Sequence, residues 1–122
     1  MSLLIAFDDI NSNGNRLLYD HLSENFRVIL LDAARIRDAV NENPGGKCLF
    51  TTSPRVAQEV AGLVKTVLYV NDPYEGYCSR GDNISHWRTG MTVFKTVDAV
   101  FVASSALATT FLGTYRIPCK VQ

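Results

Sequence analysis

The chain opens on a run that severely limits its possible folds. Leu3-Leu-Ile-Ala-Phe7 is apolar throughout and shows no alternation of apolar with polar residues. A strand with one wet face alternates; a strand without alternation is buried on both faces, as in a parallel sheet covered by helices on each side. Further short strand-like runs follow at Phe26–Leu31, Lys47–Thr51, Thr66–Val70 and Ala99–Ala103, with the start of a sixth at Cys119–Gln122. The stretches between them carry helical signals. Leu17, Leu18 and Leu22 recur at helical spacing within Arg16–Glu24, with Tyr19 beside them. Ile36, Ala39 and Val40 mark one side of a short helix over Ala33–Val40.

Punctuation supports the same division. Asn41-Glu-Asn-Pro-Gly-Gly46 is a breaker cluster. Ser53-Pro54 begins a helix, with Ser at the N-cap and Pro at the first helical position, where its missing N–H costs nothing. That helix runs to about Ala61, and Gly62 ends it. Asn71–Asn83 is a long polar loop, Ile84–Val97 a helix, and Ser104 caps a further helix over Ala106–Leu112 that Gly113 closes. Strands alternating with helices across short loops predict an α/β fold, a doubly wound Rossmann-like parallel sheet forming one domain over residues 1–122.

Composition narrows the partners. Twelve basic and twelve acidic residues cancel, so there is no basic field to hold nucleic acid. With 47% hydrophobic and 20% charged residues, and no apolar run near the roughly 18 needed for a membrane span, the balance is that of a soluble domain. The N-terminus has no signal-peptide pattern. Cys48, Cys78 and Cys119 make an odd set without a Cys-x-x-Cys spacing, which fits a reducing cytoplasmic setting. Cys48 reads as a small core hydrophobe. His21 and His86 lack ligand spacing, and no metal or cofactor is expected.

In open α/β sheets ligands bind beyond the carboxyl ends of the strands, which selects the loops after Phe7, Thr51, Val70 and Ala103. In the first, Gly14, flanked by Asn13 and Asn15, stands before a helix whose N-terminus favours an anion. In the third, Asn71, Asp72, Tyr74 and Glu75 fall within five residues; the acids suit sugar hydroxyls and Tyr74 the apolar face of a sugar. Asn71-Asp72-Pro73 also has the composition of a plain Asx-type turn. Further along, Arg80, His86, Trp87 and Arg88 suit an anionic or carbohydrate ligand or, equally, a surface loop around a packed Trp.

The run from Val97 through Asp98, Val100, Val102 and Ser104, with Tyr115, Pro118, Lys120 and Val121 after it, resembles the N-terminal domain of the group 1 family of retaining glycosyltransferases, which have the two-domain GT-B fold. The resemblance spans most of the chain in strand order; its specific residues are Asn71-Asp72-Pro73 and Val97–Pro118. It implies transfer of a sugar from a nucleotide sugar to an acceptor hydroxyl, without a metal. It also implies that the chain is the acceptor-side half and is inactive alone. The donor would be held mainly by a C-terminal domain, with its E-x7-E motif, on a longer chain or a partner subunit; a near-zero net charge also admits a homodimer. By the same resemblance Gly14 lies near the donor phosphates, Asp72 and Asn71 orient the reacting sugar or the acceptor hydroxyl, and Arg80, His86, Trp87 and Arg88 are candidates for acceptor contact. Family members often carry His-Asp where this chain has Asn71-Asp72, and asparagine cannot change charge. Ser104 matches the family serine and is also a helix cap.

Two other readings stay open. Asp8-Asp9 after the first strand is placed like the acid pair of a response-regulator receiver domain. The third strand, however, ends Thr51-Thr52-Ser53, without a phosphoacceptor aspartate, so such a receiver would be degenerate. The third possibility is a Rossmann-like interaction module without a ligand.

Overall fold

The computed structural model describes residues 2–11, 14–70, 93–94, 96–106 and 120–121. Strands β1 (Ser2–Ala6), β2 (Val28–Leu30), β3 (Gly46–Thr51), β4 (Lys65–Val70), β5 (Ala99–Val102) and β6 (Lys120–Val121) form one sheet in the order β2-β1-β3-β4-β5-β6. Every neighbouring pair is parallel. Helix α1 (Asn15–Asn25) joins β1 to β2. A 3-10 turn (Ala33–Arg35) running into α2 (Ile36–Asn41) joins β2 to β3, and α3 (Pro54–Glu59) joins β3 to β4.

Strand order fixes where the helices go. The step from β1 to β2 runs toward one edge of the sheet, and the later steps run toward the other. Right-handed crossovers therefore put α1 on one face and α2 and α3 on the opposite face. The core on the α2/α3 face agrees. Leu4, Ala6 and Leu49 from the sheet meet Ile36, Ala39 and Val40 of α2, Val56 of α3 and Val60 just after it, with Ile29 and Val64 at the margin. The other face presents Leu3, Ile5, Cys48, Phe50, Val67 and Tyr69; the Phe50 and Tyr69 rings lie 6.0 Å apart. Leu4, Ile5 and Ala6 are all fully buried, so β1 is covered on both sides, as its unbroken apolar run requires.

The described elements match the expected order, with local differences; the loop expected over Asn71–Asn83 lies outside the described residues, as do most of the helices expected over Ile84–Val97 and Ala106–Leu112. The second strand shrinks to Val28–Leu30, leaving Phe26 exposed as the residue that ends α1. Leu17 is 75% exposed, whereas Leu18 and Leu22 are half-buried. One residue along a helix turns the side chain by about 100°, which separates Leu17 from its neighbour. The helix expected over Ala33–Val40 begins as a 3-10 turn, where Asp32 accepts a hydrogen bond from the Ala34 N–H at 3.0 Å. The third helix ends at Glu59, short of Ala61, and Gly62 follows at a φ of +81°.

Gly46 belongs to β3, not to the breaker cluster before it. A Cβ there would lie 2.5 Å from the side chain of Leu4, which is fully buried and has no room to yield. Gly46→Ala is therefore expected to cost about 1–3 kcal/mol by overpacking, read as a lower urea midpoint at unchanged slope.

At the same amino end of the sheet, Thr66 and Asp98 clamp β4 to β5. The Thr66 N–H donates to Asp98 Oδ2 at 2.8 Å and the Asp98 N–H returns a bond to the Thr66 carbonyl at 3.0 Å. Asp98 also acts on Cys48. Burial first, and then the negative charge of Asp98, raise the thiol above its ordinary pKa, with Lys65 opposing. A raised pKa means less thiolate at pH 8. Cys48 is accordingly expected to alkylate more slowly than an unstructured cysteine, with the difference lost on denaturation, as resolved by site-specific mass spectrometry.

Candidate functional site

β1 sits between β2 and β3, yet the chain leaves β1 toward one face and β3 toward the other. The two loops leave the carboxyl ends of adjacent strands toward opposite faces, a topological switch point, where open α/β sheets have their ligand crevice. The β1–α1 loop brings Asp8, Asp9, Asn11, Gly14 and Asn15. The β3–α3 connection brings Thr52, Ser53 and Arg55.

Two polar bridges cross this crevice. The first is uncharged and anchored on a buried asparagine. Asn15, only 4% exposed, donates from Nδ2 to the Asp9 carbonyl at 2.8 Å and accepts from Thr52 Oγ1 at Oδ1, also at 2.8 Å. The second is charged and half-exposed. Asp8 Oδ2 accepts from Ser53 Oγ at 2.6 Å, and Asp8 Oδ1 accepts from Arg55 at 2.9 Å. The same guanidinium donates to the Ala33 carbonyl at 3.2 Å and pairs with Glu59 at 3.1 Å, so it ties α3 to the loops after both β1 and β2. The hydrogen bond from Asp8 raises the Arg55 pKa above its ordinary value. Desolvation opposes this, and the charge of Asp8 and the contacts with Glu59 reinforce it.

Local sequence explains the arrangement. Ser53 is the N-cap of α3, accepting from the Val56 N–H at 3.2 Å while Pro54 occupies the first turn; its hydroxyl hydrogen is thereby left for Asp8. Thr51 Oγ1 accepts from the Ser53 N–H at 3.0 Å and steadies the turn. Asp9 Oδ1 accepts from the Asn11 N–H at 2.9 Å, an Asx-type turn. Gly14 precedes α1 at a φ of +74°, a left-handed conformation, with no atom within 4 Å of where a Cβ would be. Its glycine answers a backbone need and leaves open space before the helix.

Of the residues expected in a site, the structure places Gly14 and Asn15 in this crevice. Asn15 is buried as a bridge between the two loops. Ser104 is exposed just beyond the carboxyl end of β5. Asn13, Asn71, Asp72, Tyr74, Glu75, Arg80, His86, Trp87 and Arg88 lie outside the described residues. Sequence reasoning passed over Thr52 and Arg55 and took Ser53 for a cap alone. The rule that picked the loop after Thr51 was the available signal, but Ser-Pro-Arg has the appearance of an ordinary helix start.

Asp8 of the acid pair is engaged by Arg55 and Ser53, and no group of three or more His, Cys, Asp or Glu suited to a metal ion occurs among the described residues. None of the described helices is long and apolar enough to cross a membrane. No known family model matches the sequence, and no curated protein is a detectable relative of it.

The two bridges predict different costs. Thr52→Val leaves the buried Asn15 oxygen without its donor and is expected to cost about 1–3 kcal/mol. Arg55→Gln breaks half-exposed ion pairs that solvent screens, and should cost about 1 kcal/mol or less. Urea denaturation of the two variants checks the order.

Proposed function

We propose that this chain is the acceptor-side, N-terminal domain of a retaining glycosyltransferase of GT-B architecture. In this reading it transfers a sugar from a nucleotide sugar to an acceptor hydroxyl, together with a nucleotide-binding C-terminal domain. The observation that carries the reading is the crevice at the carboxyl edge of β1 and β3, with Gly14 opening the N-terminus of α1 onto it. The all-parallel sheet and the residues around Asp72 and Asp98–Ser104 lend support.

In this reading Gly14 shapes the cleft beside the donor, and Asp72 and Asn71 orient the reacting sugar. Arg80, His86, Trp87 and Arg88 contact the acceptor. Asn71 in place of a histidine leaves orientation, not proton transfer, as the task of that position. Orientation alone is a large effect, because misplacing reactants by about 1 Å can cost on the order of 100-fold in rate.

The test is turnover of nucleotide sugars by the complete enzyme, with products followed by mass spectrometry. Asp72→Ala is expected to lower turnover on the order of 100-fold while the far-UV dichroism and melting temperature hold. Unchanged turnover would remove Asp72 from the site, and no transfer from any nucleotide sugar would remove the reading.

The exposed apolar side chains of Leu17, Phe26 and Leu30 favour a second reading, an interaction module without a ligand. Binding to a partner protein in the absence of any affinity for sugars or nucleotides would distinguish it.

A further inference from the structure

β2 is an edge of the sheet, and the direction of its hydrogen bonds shows what that edge presents. The Leu3 N–H donates to the Arg27 carbonyl at 2.9 Å, and the Leu31 N–H donates to the Ile5 carbonyl at 2.8 Å. With Leu4 aligned to Ile29, the residues that turn backbone groups toward β1 are Arg27, Ile29 and Leu31. Backbone groups of successive strand residues point to opposite sides of the strand. Val28 and Leu30 therefore each direct an N–H and a C=O outward, and no described residue pairs with them.

Edge strands are commonly blunted by lysine, proline or a bulge. Val28-Ile-Leu30 contains none of these, and its register with β1 runs without a shift. Ile29 packs at the margin of the α2/α3 core, so the side chains of Val28 and Leu30 lie on the opposite face, and extended Phe26 continues the alternation. Leu30 is 46% exposed there and Phe26 57%.

Charge selects the occupant. Arg27 stands before the strand and Asp32 beyond it, both exposed. Arg27 forms no ion pair with a described residue, and Asp32 uses Oδ1 to accept from the Ala34 N–H. Identical edges related by a two-fold axis meet antiparallel. That arrangement brings the Arg27 end of each strand to the Asp32 end of the other, whereas a parallel approach would oppose like charges. The cancelling charges of the whole chain add little repulsion.

We propose that two copies of this chain pair along β2 about a two-fold axis beside Ile29, joining their sheets into one. Val28 of each copy exchanges both of its backbone hydrogen bonds with the partner's Leu30, which satisfies every outward group of the edge. On the α1 face Leu30 lies beside the partner's Val28, with Phe26 diagonal to the partner's Leu30. The outer edge of β2 faces away from β3, so the crevice stays open and the pairing stands with either reading of function.

The test is sedimentation equilibrium of the full chain from about 1 μM to about 1 mM, where a monomer–dimer equilibrium is expected. Residue-resolved amide hydrogen exchange at low and high concentration locates the contact. The Val28 and Leu30 amides should exchange quickly in dilute protein and become protected as the dimer fills, while Ile29 and Leu31, bonded to β1, are protected throughout. Leu30→Lys, at an exposed position, should keep the melting temperature of the dilute protein and raise the dimer dissociation constant at least about tenfold.

A monomer across the whole range would overturn the proposal. So would a dimer that leaves exchange at Val28 and Leu30 unchanged, because its contact would lie on another surface, or one that Leu30→Lys does not weaken. Exchange in the wild-type chain decides the matter even if that variant does not fold. None of these outcomes involves turnover of nucleotide sugars, so the pairing and the transferase reading fail independently.

Discussion

Much of this structure depends on the simultaneous pairing of β1 with β2 and β3. Its register joins Leu4 to Ile29 on one side and to Leu49 on the other, and Ala6 to Thr51. With both edges hydrogen-bonded and both faces covered, Leu4, Ile5 and Ala6 have no contact with water. Burying apolar side chains of this kind is worth about 1.5–3 kcal/mol each for the larger ones. The same placement makes β1 the strand from which the chain turns back on itself, so its carboxyl end opens a crevice. The centre of stability and the candidate site adjoin at the carboxyl end of one strand.

That juxtaposition governs how the crevice is built. Loops leaving toward opposite faces separate unless something ties them. Here the tie is double, a neutral bond between Asn15 and Thr52 beneath and a charged one between Asp8 and Arg55 above. The buried bond is the stronger constraint, because an unpaired amide oxygen away from water is costly. The exposed pair is weaker, screened by solvent and salt. Arg55 compensates by number, reaching the loops after β1 and β2 from a single side chain.

Much of the fold was legible in the sequence because its signals are local. The unbroken run Leu3–Phe7 implied a strand buried on both faces, and Ser53-Pro54 marked a helix start that the structure keeps. The errors came from non-local packing. Gly46 looks like a turn residue until Leu4 is seen to need its space. Leu17 counted toward the buried face until the rotation of α1 turned it to solvent. The crevice was legible only in its first loop. Gly14 announces itself by type, whereas the bonds from Thr52 to Asn15 and from Arg55 to Asp8 span 37 and 47 residues of sequence and follow from strand order alone.

The reciprocal bonds between Thr66 and Asp98 carry a consequence for how such a chain changes over generations. They fasten β4 to β5 at the amino ends of the strands, away from the loops that form the crevice. Substitutions accumulating in the carboxyl-side loops leave that fastening untouched, because contacts without shared partners contribute independently. The two ends of the sheet can therefore diverge at different rates, one conserving a scaffold while the other explores new ligands.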